Sequence, residues 1–223
     1  MIDIKLDAYL LLSRDNIHSR QTLKCINNSK VNENINIKIS TTEDLLNNLS
    51  DSIDQKKVNL ILNKKKFKTC WEHLIFLTYL SKSTYISFLH DDDIFDQNYL
   101  IKSYNFLCKY EPIALSNRAR VIDKFSNLHK RRNQKPEDKI IQLKKNRILK
   151  SYFLPFERPI VTPTVIYERK TLLKYWEKYK LRNLSIFEDP RIFYYFSERG
   201  KFLEYQDTSL YSYRKHDNHI STI

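Results

Sequence analysis

The chain predicts an α/β fold with a mostly parallel sheet flanked by helices, passing into a mixed α+β second half. Three observations carry this. Apolar runs of strand length alternate with segments of helical period between residues 8 and 89. The last strand of that series ends abruptly in Asp91, Asp92 and Asp93. Beyond residue 112 the alternation loosens, with short strands following one another. A length of 223 residues with 41% hydrophobic and 13% aromatic residues fits one domain with a substantial core.

The elements follow one another in chain order. Ala8–Ser13 reads as a buried strand, and Ser19–Asn28 as a helix with Leu23 and Ile26 inward. Ile35–Ser40 alternates like a strand. Thr41 or Thr42 then caps a helix through Leu49, with Glu43 and Asp44 as acid in its first turn. Val58–Leu62 is a third strand. Thr69–Leu80 carries Trp71, Leu74, Ile75, Thr78 and Tyr79 at helical spacing. Tyr85–Leu89 is the strand that delivers the acidic triplet. Asn98–Tyr110 is a helix stopped before Pro112. Ile113–Ser116, Ala119–Ile122 and Pro159–Tyr167 read as strands. Lys170–Lys180 and Pro190–Arg199 read as helices, the latter with Gly200 as C-cap. Phe202–Tyr205 and Ser209–Tyr213 close the chain as strands. Trp71 and Trp176 sit at apolar helical positions and belong to the core.

Composition excludes several classes. A single glycine, Gly200, leaves no phosphate-binding glycine loop and no dinucleotide fingerprint. Cys25, Cys70 and Cys108 are too far apart for a zinc site and suit a reducing, cytoplasmic setting. No apolar stretch has the length of a membrane span, and Met1–Leu12 lacks the features of a signal peptide. Net charge is +13, and residues 124–150 hold ten Lys/Arg against two acids, a net of eight. That block reads as a solvated, mobile loop, or as a contact for anionic lipid or nucleic-acid phosphates.

Three adjacent carboxylates repel one another and need neutralisation. A divalent cation carrying a phosphorylated ligand would supply it through hard oxygen ligands. The triplet also reads as an acidic turn that caps the next helix through Asp93 or Asp96. Ligands of open α/β sheets bind at the carboxyl ends of the strands. Residues 13–16, 41–44 and 91–93 all fall at such ends, which favours the functional reading.

Four segments in order resemble the GT-A-fold glycosyltransferases of family 2, over nearly the whole chain. Leu11-Leu12-Ser13-Arg14-Asp15-Asn16 stands where that family has its first turn, without the usual Pro and Tyr. Tyr85-Ile86-Ser87-Phe88-Leu89-His90-Asp91-Asp92-Asp93 is similar to its acidic strand end, with His90 in place of the first Asp. Phe187-Glu188-Asp189 resembles its Glu-Asp motif, and Tyr213-Arg214-Lys215-His216 with Ser221 its terminal element. The second strand departs, ending in Ser40-Thr41-Thr42-Glu43-Asp44.

The resemblance implies an inverting, metal-dependent transfer of a sugar from a nucleotide diphosphate donor such as a UDP-sugar to a hydroxyl acceptor. Residues 1–95 would form the donor half and 96–223 the acceptor half of one domain. It implies Ser13, Asp15, Glu43, Asp44, Asp91 and Arg214 as donor-binding residues. Mn²⁺ or Mg²⁺ would be held by Asp91, Asp92, Asp93 and His216. Asp189 would be the base, with Glu188 as neighbour or substitute. A glycan or lipid-linked acceptor in surface glycan synthesis is the first expectation, with residues 124–150 holding a cytoplasmic enzyme peripherally at the inner membrane face. Transfer to a modified DNA base and a non-catalytic nucleic-acid-binding protein of degenerate transferase fold are the alternatives.

Overall fold

The computed structural model describes residues 3–64, 67–129, 135–154, 158–179 and 188–215. Strand β1 (Leu6–Leu11) is buried along its whole length, as expected for a strand covered on both faces. It starts two residues earlier than its sequence suggests because Asp7 lies inside it. That buried carboxylate is satisfied by Lys38 Nζ at 2.7 Å and the Ser81 hydroxyl at 2.6 Å. Burial raises its pKa, but these partners outweigh burial and hold it below the ordinary value.

Helix α1 (Ile17–Asn28) opens on a capping box. Asn16 Oδ1 accepts from the backbone of His18 and Ser19, while the Ser19 hydroxyl accepts from the Asn16 amide. Strand β2 (Ile35–Thr42) runs straight into α2 (Glu43–Leu49), whose N-cap Thr42 makes no side-chain cap. Strand β3 (Val58–Asn63) is followed by α3 (Cys70–Leu80), capped by Thr69 on the Glu72 amide. Tyr79, at the end of the apolar helical spacing, is exposed. Strand β4 (Tyr85–His90) delivers the triplet, and a two-residue strand β5 (Ile94–Phe95) follows it. The turn before α4 (Tyr99–Tyr110) is closed by Asp96, which accepts from the Asn98 amide at 2.8 Å. Asp93 takes no part in that cap.

The second half contains β6 (Ala114–Asn117), β7 (Arg120–Ile122), β8 (Ile140–Gln142), α5 (Lys145–Phe153), β9 (Ile166–Glu168), α6 (Arg169–Tyr179), α7 (Glu188–Ser197), β10 (Phe202–Tyr205) and β11 (Tyr211–Arg214). The expected long strand before residue 167 is a single 3-10 turn, Thr162–Thr164, followed by the short β9. The basic block, expected as a mobile loop, holds β8 and most of α5. Ile148 anchors α5 because it is buried in the core. Lys130, Arg131 and Arg132 lie outside the described residues. Gly200 is not a left-handed cap, since no glycine has positive φ. Its constraint is space: a Cβ there would meet Ile113 Cγ2 at 2.9 Å.

The main sheet has the order β3-β2-β1-β4-β9-β6-β10-β8. The β3-β2-β1-β4 part is wholly parallel, whereas β9 pairs antiparallel with both β4 and β6. A small sheet, β5-β11-β7, stands beside it. Alternation along β1 divides the core. Leu6, Ala8 and Leu10 join Leu23, Ile26, Leu100 and Leu107 from α1 and α4 on one face. Tyr9 and Leu11 join Leu74, Leu172, Trp176 and Phe193 from α3, α6 and α7 on the other. Trp176 is buried and meets the partly buried Trp71 edge-on at 6.3 Å. Among the described residues no helix is long and apolar enough to cross a membrane.

Candidate active site

Strands β1 and β4 pair in register from Leu6 with Tyr85 to Leu11 with His90. The residues that follow each strand therefore emerge side by side. The Ser13 amide and hydroxyl donate to Asp91 Oδ2 at 2.8 and 2.9 Å. Arg14 Nε donates to Asp91 Oδ1 at 3.1 Å, and its Nη2 reaches both Asp91 and Asp92, the latter at 3.0 Å. The two carboxylates raise the Arg14 pKa despite burial.

Asp93 turns the other way, into the protein. Its Oδ1 accepts from the Arg214 amide at 2.8 Å and its Oδ2 from the Tyr211 hydroxyl at 2.9 Å. Burial first and Asp92 second push its pKa well up, against these donors and the Arg214 charge. The short β5–β11 pairing makes this contact possible by laying Tyr211 and Ser212 on residues 95 and 94. The chain thus supplies its own cations, Arg14 and Arg214, to the triplet, and repulsion alone does not require an ion. Arg214, expected to face a diphosphate, has 0% exposure. Its Nε donates to the Asp92 carbonyl, Nη1 to the Asp123 carbonyl and Ser126 hydroxyl, and Nη2 to Gln21. Its role here is to join three segments.

Among the described residues, His90, Asp92 and Asp93 form the cluster that could hold a metal ion, their ligand atoms all lying within 4.8 Å of one another. Burial lowers the His90 pKa against the pull of Asp92 and Asp91, keeping the imidazole neutral and able to donate a lone pair. The two carboxylates suit Mn²⁺ or Mg²⁺, whereas an imidazole is a ligand more typical of zinc, iron or nickel. His216, expected as a ligand, lies outside the described residues, as does Ser221.

Asp189 stands in the first turn of α7. Its Oδ1 is buried and has no hydrogen-bond partner among the described residues. Burial raises its pKa to about 6, with Glu188 adding to the rise and a hydrogen bond with Thr162 opposing it. Glu188 is differently placed: buried, it accepts from the Tyr175 hydroxyl and pairs with Arg191 Nη1 at 3.2 Å. Cys70, at the start of α3, links the two acidic groups. It is exposed, yet its thiol is pushed up to about 12 by desolvation and then by the charges of Asp189 and Asp91. Asp91 and Asp189 therefore both lie within electrostatic reach of Cys70.

The remaining expected donor residues are less enclosed. Glu43 and Asp44 are exposed in the first turn of α2, where they favour the helix dipole. Asp15 pairs with Arg20 at 2.9 Å. At the carboxyl ends of β2 and β3 lies a group that the sequence did not single out. The Ser40 hydroxyl bonds His73 Nε2 at 2.7 Å and accepts from Asn63 at 3.0 Å. Phe67 stacks on His73 at 4.2 Å, and burial lowers the His73 pKa to about 4. Only the position of Ser40 and Asn63 at the carboxyl ends of β2 and β3 could have signalled it.

No protein-family model and no curated protein sequence matches the chain. Solved structures do. The S. aureus TarS fragment 1–349 in complex with UDP-GlcNAc superposes with a TM-score of 0.67 at 9% identity, covering 97% of this chain and 60% of that one. The same fragment in complex with UDP gives 0.65 at 10% identity, covering 95% and 61%. Longer TarS gives 0.65 at 10% identity, covering 95% of this chain and 37% of the other. The chain thus spans less than two thirds of these solved chains. Sheet order, the position of the acidic strand end and these superpositions agree that the chain has the GT-A fold.

Proposed function

We propose that the chain is a glycosyltransferase that takes a sugar from a nucleotide diphosphate donor, such as a UDP-sugar, and transfers it to a hydroxyl with inversion. The observation that carries this reading is the tethered acidic strand end at the carboxyl edge of the parallel sheet, with Asp189, whose Oδ1 has no hydrogen-bond partner among the described residues, also within electrostatic reach of Cys70. The fold likeness to a structure holding UDP-GlcNAc supports it.

In this reading Asp189 accepts the proton of the acceptor hydroxyl as that oxygen attacks the anomeric carbon. The bond from that carbon to the diphosphate breaks, and the nucleotide diphosphate leaves. Ser13 and Arg14 hold Asp91 rigid, so that a ribose hydroxyl meets a fixed acceptor. His90, Asp92 and Asp93 would hold Mn²⁺ or Mg²⁺, which offsets the leaving charge when bound. The resting pKa of Asp189 lies near working pH, which suits a general base. A glycan or lipid-linked acceptor, in surface glycan assembly, is the substrate class we favour. Residues 1–95 then serve the donor and 96–223 the acceptor, and exposed basic residues of 124–150 hold the enzyme at an anionic membrane face.

The test is a thermal-shift series of nucleotide sugars with and without Mn²⁺, followed by donor hydrolysis. A donor present at ~100 times its Kd stabilises the fold by about 2.7 kcal/mol. Stabilisation by a nucleotide sugar, with hydrolysis abolished in Asp189→Asn, supports the reading. No stabilisation by any nucleotide sugar, with or without Mn²⁺, refutes it.

A further inference from the structure

Helix α5 serves the core with one face alone. Ile148 and Ser151 are buried, and Tyr152 donates its hydroxyl to the Ile160 carbonyl at 2.9 Å and meets Phe193 at 6.3 Å. The opposite face is not an ordinary solvated one. Leu149 is 38% exposed, Phe153 one turn on is 62% exposed, and Leu154 at the C-cap is 48% exposed. Leu149 and Phe153 form one wall of an open groove whose other wall is Pro190, Arg191 and Tyr194 of α7. A lone exposed apolar side chain is unremarkable, but a contiguous group of them marks a contact surface. The charge that α5 sets beside this patch has one sign. Lys144, Lys145 and Lys150 are exposed, and the helix contains no acid. Arg147 lies within electrostatic reach of Glu204, and Arg191 pairs with Glu188, so neither adds to this set. On α7 the acid nearest in sequence beyond the groove is Glu198, which accepts from the Tyr194 hydroxyl at 3.0 Å.

We infer that this face of α5 docks on an anionic lipid bilayer, with Leu149, Phe153 and Leu154 inserted at the boundary between headgroups and acyl chains and Lys144, Lys145 and Lys150 on the lipid phosphates. The inference rests on the membrane face assigned above and deepens it: the lysines attract, and the apolar side chains hold. Charge complementarity selects the occupant. A second copy docked through the same face would set these lysines against their own kind, whereas an anionic surface neutralises them. Lysine stems also lie along apolar surface while their ammonium groups reach the headgroups. The docking has a consequence for the candidate site. Pro190 lines the groove and directly follows Asp189 in the first turn of α7. The bilayer therefore meets the start of the helix that carries the proposed base, on the side from which a lipid-linked acceptor would arrive.

The test is co-sedimentation of the full chain with vesicles of phosphatidylcholine alone and of phosphatidylcholine with phosphatidylglycerol. Wild type is expected to bind the anionic vesicles and not the neutral ones. Phe153→Ser with Leu154→Ser weakens that binding roughly tenfold or more. Lys145→Gln with Lys150→Gln does the same, since each lysine at an anionic surface is worth about fivefold. All four side chains are exposed, so urea midpoints stay at the wild-type value and show that the variants fold. Emission from Phe153→Trp, less the wild-type signal, shifts to the blue on the anionic vesicles. Equal vesicle binding by the serine variant and wild type, or an unshifted emission, overturns the insertion and leaves charge as the whole of the membrane contact. No binding by wild type overturns the membrane face itself. A dimer in sedimentation equilibrium that the serine pair dissociates, without vesicle binding, overturns it in favour of a second copy. Thermal shift with UDP on the same samples reports on the transferase reading separately: its failure counts against that reading and not against the docking.

Discussion

The Arg214 amide donates to Asp93 Oδ1 at 2.8 Å across 121 residues of sequence. The Arg214 guanidinium also donates to the Asp92 carbonyl at 2.7 Å. The last described strand is thereby fastened to the acidic strand end, and both partners are fully buried.

Removing one partner of such a buried pair leaves an uncompensated group. Asp93→Ala is expected to cost about 3–5 kcal/mol. Asp15→Ala, which breaks an ion pair with a half-exposed Arg20, costs under about 1 kcal/mol. Urea denaturation of both variants checks the contrast, and equal midpoints would contradict it.

Asp189 links activity to pH. Its proton-accepting form predominates above about 6, so transfer declines roughly tenfold per unit well below that pH. The stability effect has the opposite direction. A carboxyl whose pKa is raised in the folded state from 3.8 to about 6 favours folding most below 3.8, and that contribution is lost as pH rises through 6. Asp189→Asn, which cannot ionise, therefore gains melting temperature over wild type at pH 8 and gains little at pH 4. Melting curves at the two pH values decide this.

Glu188 and Asp189 are neighbours with different duties. Tyr175→Phe removes a hydrogen bond to the buried Glu188 carboxylate and leaves its Arg191 pair. A loss of about 1.5–3 kcal/mol in stability is expected, with the turnover of the folded enzyme nearly unchanged. A large fall in turnover at full folding would place Glu188 in the chemistry.

Gly200 is constrained by Ile113 rather than by its backbone angle. Gly200→Ala should destabilise by about 1–3 kcal/mol through overpacking. Gly200→Asn, which a left-handed cap tolerates, should be worse than alanine because its side chain is larger. Thermal denaturation giving the reverse order would restore the cap.

Local pattern made much of the fold legible. The buried runs of β1 and β4, the Thr69 cap and the helical spacing of α3 and α4 depend on neighbours within a few residues. α5 was hidden because its charged surface outweighs the few residues, such as Ile148, that face the core, and β8 because it is only three residues long. The same limit applied at the candidate site. Asp91 and Asp189 could be singled out by type and position, whereas His73 and Ser40 looked like ordinary helix and strand residues until they met.

By itself the sequence determined that strands and helices alternate and that three carboxylates end a strand, because periodicity and composition act over a turn or two of chain. Tertiary structure alone decided which cation answers each carboxylate. Arg14 took Asp91 and Asp92, and Arg214 took Asp93. It also turned Glu188 inward to Tyr175 and, among the described residues, left one oxygen of Asp189 without a partner. Those choices depend on sheet register and on burial that raises or quenches charge, and neither quantity exists until distant segments are packed together.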